Sequence, residues 1–362
     1  MKVTGTYLLG HWDLADRIGE FFYAAAGRGT LGPTLTSQFR GPSPTKQPQA
    51  SLAMSSAAPW RWPVPRPLQR LFDGFPLRVY ESTDLPARAE LATSSSLATL
   101  FVFSSPDDAR LGNPSYNPGC LKWQTYLCLA GIPTRLLPST NHASLTGSLP
   151  FLLPLRTTPL APSPTPLSPA QFIAYAQKQG RPLHDVPPAA ALRAEAFQSL
   201  IDIPLRNAWL YALYLDKANT HLLDKWYTAP ASSSPWIRDS LRHQLRRAAE
   251  AEILKTGSYL SSVAAGMALV DAGRVYQDAE EALEALAGVL GESGTDWFFG
   301  AEGPGIFDCS VFAYTYLMMV FMAGEGGLGR LVKRAGRGEL EGHKEKVFRL
   351  GWRGEKEEKE LR

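Results

Sequence analysis

What this 362-residue chain has little of narrows its chemistry first. Three cysteines, Cys120, Cys128 and Cys309, are too few for a disulfide framework and point to a reducing compartment. Cys120 and Cys128 fall on one predicted helix, where a rise of about 1.5 Å per residue sets them ~12 Å apart, beyond disulfide reach. Neither sign of charge is in excess. With 37 basic and 34 acidic residues the net charge is only +3, so composition gives no case for a nucleic-acid partner. His142, His184, His221 and His243 show no metal-ligand spacing with one another or with cysteine. No apolar run reaches the ~20 residues a bilayer needs. The best, residues 309–323, reads as a buried central helix. The N-terminus carries Asp13, Asp16 and Glu20 without an Arg-rich amphipathic pattern, so it reads neither as a matrix-targeting peptide nor as a secretory signal.

What is present is uneven. Hydrophobic residues make up 44%, enough for a sizeable core, and 29 prolines are spread in clusters. Residues 1–58, rich in Gly, Ser, Thr, Pro and Ala, read as disordered or as an extension, with Met54 a natural start. Residues 59–96 form a proline-rich N-terminal arm, opening Trp60-Arg61-Trp62-Pro63-Val64-Pro65-Arg66-Pro67. Residues 97–180 read as an α/β domain. Thr99-Leu100-Phe101-Val102-Phe103 is its clearest strand, and the Pro- and Gly-laden 104–118 that follows reads as a loop. Asn117 then caps a helix beginning at Pro118, with Cys120, Trp123, Leu127 and Ala130 as its buried stripe. Gly131 ends it, and 132–137 is the next strand.

Further on, five prolines in 156–169 exclude a regular element, and Ser168-Pro169-Ala170-Gln171 reads as a capping box. Residues 189–350 read as all-helical. In 207–215 Trp209, Leu210, Leu213 and Tyr214 share a face. In 235–255 Ile237, Leu241, Leu245 and Ala248 share another, with Arg238, Arg242 and Arg246 on a separate one, read as a solvated face ahead of one turned to lipid phosphates or an acidic partner. The stretch 257–273 reads as an insertion or loop, and 351–362 as a frayed tail.

This order of strand, helix, strand and strand, then helices, resembles the glutathione-transferase superfamily. The resemblance implies an α/β plus all-α fold: an N-terminal thioredoxin-like domain (97–180) followed by a C-terminal helical domain (189–350). It also implies a cis-proline at Pro150 in Gly147-Ser148-Leu149-Pro150. Trp297-Phe298-Phe299-Gly300-Ala301-Glu302-Gly303-Pro304-Gly305-Ile306-Phe307-Asp308 is similar to that family's approach to its central helix, with Gly305 at the cap and Asp308 as a folding residue. More specific strings resemble the metaxin family, most of all the smaller fungal metaxin-like subunit of the mitochondrial sorting and assembly machinery. They are Arg70-Leu71-Phe72-Asp73-Gly74-Phe75-Pro76-Leu77-Arg78, Asn117-Pro118-Gly119-Cys120-Leu121-Lys122-Trp123-Gln124-Thr125-Tyr126-Leu127, Asn141-His142-Ala143-Ser144 and Arg206-Asn207-Ala208-Trp209-Leu210-Tyr211.

A transferase needs a hydroxyl or thiol at the start of its first helix to hold glutathione's thiolate. Here Asn117 stands before Pro118, and an amide is no nucleophile. Ser115, Tyr116 and Cys120 are the remaining candidates. The acidic-Ser pair that grips the γ-glutamyl end is absent from Ser168-Pro169-Ala170-Gln171, although the Leu149-Pro150 backbone could still pair with an extended peptide. The three cysteines read as small buried hydrophobes.

The expectation is therefore a non-enzymatic protein with no catalytic, cofactor or metal residues. Asn117, Pro118, Pro150 and Asp308 are its structural markers. By resemblance it is a peripheral subunit on the cytosolic face of the mitochondrial outer membrane. There it would help recognise and insert β-barrel precursor proteins, partnered by a membrane-embedded β-barrel assembly subunit and a second metaxin-like subunit, with no nucleic acid. Two alternatives stand beside it: a glutathione-dependent transferase-type enzyme, and a transferase-like adaptor in a translation assembly.

Overall fold

Strand β1 (Ala98–Val102) is buried at every position, as its run of Leu, Phe and Val requires. A computed structural model describes residues 97–155, 164–256, 260–264, 267–324 and 327–353. The expectations for 1–58, 59–96 and the tail from 354, and the string at 70–78, lie outside the described residues. Strand β2 (Thr134–Pro138) pairs parallel to β1, with Leu100 opposite Leu136. Strand β3 (Phe151–Leu153) pairs antiparallel on the other side, giving the order β2-β1-β3. The Phe101 and Phe151 rings stack across that pair, 4.3 Å between centroids. Leu167 then forms a single antiparallel bridge to Leu152 through both backbone hydrogen bonds. The prolines around it fit a strand reduced to one bridge.

The 104–118 segment is not all loop. It contains α1 (Pro106–Leu111), and its breakers sit where a helix accepts them. Ser105 Oγ accepts the Asp108 N–H, Pro106 opens the first turn, and Gly112 closes the helix at φ 72°. Helix α2 (Pro118–Leu129) follows, and α3 (Phe172–Lys178) continues a short 3-10 turn (Pro169–Gln171) in which Gln171 Oε1 accepts the Ser168 N–H.

The remainder is helical. Helix α4 (Ala191–Leu200) runs on through a π-turn (Ile201–Leu205), α5 (Arg206–Leu210) and a second π-turn (Tyr211–Leu215). Pro204 lies inside the first of these wider turns, where its missing N–H suits a break in the regular ladder. Trp209, Leu210, Leu213 and Tyr214 are all buried, as their spacing predicts. Then come α6 (Thr220–Leu223), α7 (Pro235–Thr256), α8 (Ala272–Glu292), α9 (Ile306–Phe321), α10 (Leu328–Ala335) and α11 (Glu339–Phe348). Between α7 and α8 the stretch read as a loop holds an antiparallel hairpin, β4 (Leu260–Ala264) and β5 (Met267–Val270).

Two corrections concern α7. Its buried positions are Leu245, Ala249, Glu252 and Ile253, whereas Ile237 is exposed, so the first turns project beyond the core. The arginine stripe is not a solvated face. Arg242 bonds Asp224 and Asp239, and Arg246 bonds the Tyr214 carbonyl and Thr220 Oγ1.

The sheet and the helices each have a core, and α2 and α9 join them. Leu121 of α2 belongs to the helical core, and Cys309 of α9 belongs to the sheet core. Helix α9 is buried from Phe307 to Thr315 without a break, the central helix its composition predicts.

Candidate functional site

The start of α2 is where a reactive group would sit. Asn117 caps it: Oδ1 accepts the Cys120 N–H at 3.1 Å, and its carbonyl accepts the Leu121 N–H at 2.8 Å. Pro118, in the first turn, contributes no N–H. The helix start thus points few free donors at an anion. The Asn117 amide nitrogen donates to the Tyr227 hydroxyl at 3.4 Å, which ties the cap to the helical region.

The three candidate nucleophiles are each engaged. Ser115 is fully buried, and its hydroxyl donates to the Phe103 carbonyl at 2.5 Å. The Tyr116 hydroxyl donates to the Trp226 carbonyl at 3.1 Å, while its ring lies flat on the Trp226 indole, 5.1 Å between centroids. Burial pushes that phenol well above the ordinary tyrosine range, and the neighbouring Cys120 and Tyr214 add to it. Cys120 has no solvent exposure. Burial drives its thiol up to about 12, although the Phe103 backbone and the Ser115 hydroxyl pull the other way. A fully buried thiol held in its protonated form packs as a small apolar group. Cys309 is buried likewise, and its thiol is also held up by burial.

Rings from the helical region close over this position. Phe103, Tyr116 and Tyr227 contact one another edge-on or tilted. Trp226 packs on Trp209 and, edge-on, on Phe321. Tyr214 lies against Tyr227, and burial lifts its phenol to about 12. Two recesses, of about 510 and 230 Å³, lie elsewhere. Trp297, Asp296 and Glu339 are among the residues lining the first, Tyr276 and Arg334 among those lining the second.

Pro150 follows a cis peptide bond, as the resemblance implies. Leu149 before it is buried, and its N–H donates to Asn141 Oδ1 at 3.1 Å. The donor that an extended peptide would use at the Leu149-Pro150 backbone is thus already taken within the chain. Asn141 sits in a 3-10 turn (Asn141–Ala143) beside the exposed His142. The string is legible in the sequence; the brace, a contact across eight residues, is not. An Asn eight residues before a buried pre-proline position was the available signal.

Asp308 acts in folding. Oδ2 accepts the Gly305 N–H at 2.9 Å, and Oδ1 faces the Phe298 N–H at 3.3 Å and His343 Nε2 at 3.0 Å. Gly305 stands at the cap for a steric reason: a Cβ there would lie 2.7 Å from the His184 carbonyl oxygen. His343 went unnoticed in the sequence because it sits in a charged helix far along the chain. Among the described residues no group of histidine, cysteine and carboxylate side chains is arranged to hold a metal.

Two family models match the chain. One describes the glutathione S-transferase N-terminal domain and covers residues 118–219; the other describes the glutathione S-transferase C-terminal domain and covers 279–335. The fold is glutathione-transferase-like. Solved structures of similar shape include a glutathione transferase from Phanerochaete chrysosporium, 14% identical over 71% of this chain and 99% of that one, with a TM-score of 0.45. A glutathione S-transferase of Ceriporiopsis subvermispora in complex with glutathione is 13% identical over 70% and 98%, at 0.46. A family member from Pseudomonas fluorescens with two glutathione bound is 14% identical over 72% and 99%, at 0.39. No curated protein matches the chain. Within this glutathione-transferase-like fold, Asn117, Pro118 and Pro150 belong to the sheet-containing unit, and Asp308 pins the central helix of the helical one.

Proposed function

We propose that this chain is a non-enzymatic, metaxin-like subunit of the mitochondrial sorting and assembly machinery. It sits peripherally on the cytosolic face of the outer membrane, on a membrane-embedded β-barrel assembly subunit and beside a second metaxin-like subunit. It helps recognise and insert β-barrel precursor proteins. The observation that carries the reading is that the glutathione-binding region is satisfied from within. Ser115, Tyr116 and Cys120 are committed to internal contacts, and Asn141 holds the Leu149 N–H.

The metaxin-like strings support it in a physical way, because they fall on these braces. Asn117 heads one string and caps α2; Asn141 heads another and holds Leu149. Arg206 and Asn207, which head a further string, are buried; Arg206 bonds Glu252, and the Asn207 amide nitrogen donates to Thr256 Oγ1 while its Oδ1 is left without a partner among the described residues. Buried Arg and Asn are costly unless partnered, so such strings describe a particular interior and not a surface.

In this reading an extended, alternating precursor strand does not enter at Leu149. It adds at a sheet edge; among the described residues β2 is the terminal strand of the order β2-β1-β3. Backbone pairing there supplies affinity, and side chains on alternate faces supply selectivity. Affinity purification of the tagged chain from outer membranes in mild detergent tests the reading. Recovery of a barrel-assembly subunit and a second metaxin-like chain is expected; recovery of neither counts against it, and recovery of aminoacyl-tRNA synthetases favours the adaptor alternative.

A further inference from the structure

The first turns of α7 and the segment leading into them stand out from the rest of the surface. Residues 229–237 read Ala-Pro-Ala-Ser-Ser-Ser-Pro-Trp-Ile, nine residues without a charge. Trp236 is 87% exposed and Ile237 48%, while burial on α7 begins only at Leu245. Ala229, Pro230 and Ala231 are exposed as well. An indole held this far into water gains nothing from the fold of its own chain.

The charges around it have one dominant sign. Five basic residues, Lys225, Arg238, Arg242, Arg246 and Arg247, stand against three acidic ones, Asp224, Asp239 and Glu250, between positions 224 and 250, and of the five Arg242 and Arg246 are already bonded within the chain. Both aspartates are already bonded to Arg242. Along α7, Trp236, Ser240, His243 and Arg247 fall at spacings of four, three and four, so they share one helix face, and all four are exposed. That face is aromatic at its start and basic at Arg247, with Asp239, bonded to Arg242, and the half-buried Glu250 along its edge.

We infer that residues 229–237 and this face of α7 contact a lipid surface bearing anionic headgroups, with the Trp236 indole at headgroup depth and Arg247 against lipid phosphate. The chemistry is that of interfacial anchoring. A Trp settles where apolar chains meet polar heads, and each nearby cation adds attraction to an anionic leaflet. The inference deepens the peripheral membrane placement proposed above and rests on that reading for which membrane is met.

The test uses the purified full chain and two sets of vesicles, phosphatidylcholine alone and phosphatidylcholine with phosphatidylserine. The wild-type chain is expected to sediment with the anionic vesicles and to be released by salt. Paired Trp236→Ser and Ile237→Ser substitutions, both at exposed positions, are expected to lower the partition about tenfold, since they remove the apolar area that would leave water. Arg247→Glu is an independent arm, expected to weaken binding to anionic vesicles only, with circular dichroism confirming the fold of each variant. The inference is overturned if the wild-type chain stays in the supernatant, if the Trp236/Ile237 variant binds like wild type, or if neutral and anionic vesicles bind equally. Vesicle binding without copurifying barrel-assembly subunits would defeat the proposed complex and leave the lipid contact standing.

Discussion

Asn141 Oδ1 accepts the backbone N–H of Leu149 at 3.1 Å, across a span of eight residues. That bond takes up from within the N–H that a bound peptide would otherwise use at the residue before Pro150. Replacing Asn141 with Ala leaves a buried N–H without a partner, which costs about 1–3 kcal/mol. Urea unfolding is expected to show a lower midpoint with little change in slope. Asn141→Asp, which keeps an acceptor, is expected to lose less.

The cap of α2 gives a second expectation. Asn117→Ala removes the acceptor for the Cys120 N–H and the link to Tyr227, and loses about 1 kcal/mol or somewhat more. Asn117→Ser restores the cap but not the longer reach to Tyr227, so its unfolding midpoint falls between those of the wild type and Asn117→Ala.

Asp308 has the largest predicted effect. Its carboxylate serves the Gly305 and Phe298 N–H groups and faces His343, all in the interior. Asp308→Ala strands those partners and is expected to cost about 3–5 kcal/mol, read by thermal and chemical unfolding. Asp308→Asn keeps one acceptor oxygen and is milder.

Alkali is one pH direction that weakens this fold. Burial lifts Cys120 from 9.0 to about 12 and Tyr214 from 10.0 to about 12. The folded chain therefore holds protons that the unfolded chain releases. The resulting stability is complete below about pH 9, and it falls as pH rises through the folded values near 12. Thermal midpoints measured along a pH series, together with tyrosinate absorbance, are expected to fall and rise in step over that window. Native Cys120 and Cys309 are expected to resist a thiol reagent at neutral pH and to react on unfolding.

Much of the fold was legible because its signals are local. The β1 run, the Asn117-Pro118 helix start, the Ser168–Gln171 turn and the apolar α9 each announce themselves within a few residues. Helix α1 was missed because Pro106 and Gly112 read as breakers, although they occupy the two helix positions that accept them. Helix α10 falls in the region read as helical, but its bounds are hard to read because Gly329 and the basic residues obscure a short apolar face of Leu328, Val332 and Ala335. The arginines of α7 looked solvated because their partners, Asp224, Tyr214 and Thr220, lie in separate elements. For the same reason the site was half legible. The Asn117 cap is written in Asn117-Pro118, but the Asn141 brace, the Trp226 and Tyr227 cover and the His343 partner depend on tertiary contacts that no local pattern encodes.

The most direct test of the central claim is a calorimetric titration of the full chain with reduced glutathione. A scaffold whose peptide-pairing donor and candidate nucleophiles are all engaged by its own residues is expected to give only the heat of dilution. A saturable isotherm, abolished by Tyr116→Phe or Ser115→Ala, would contradict it.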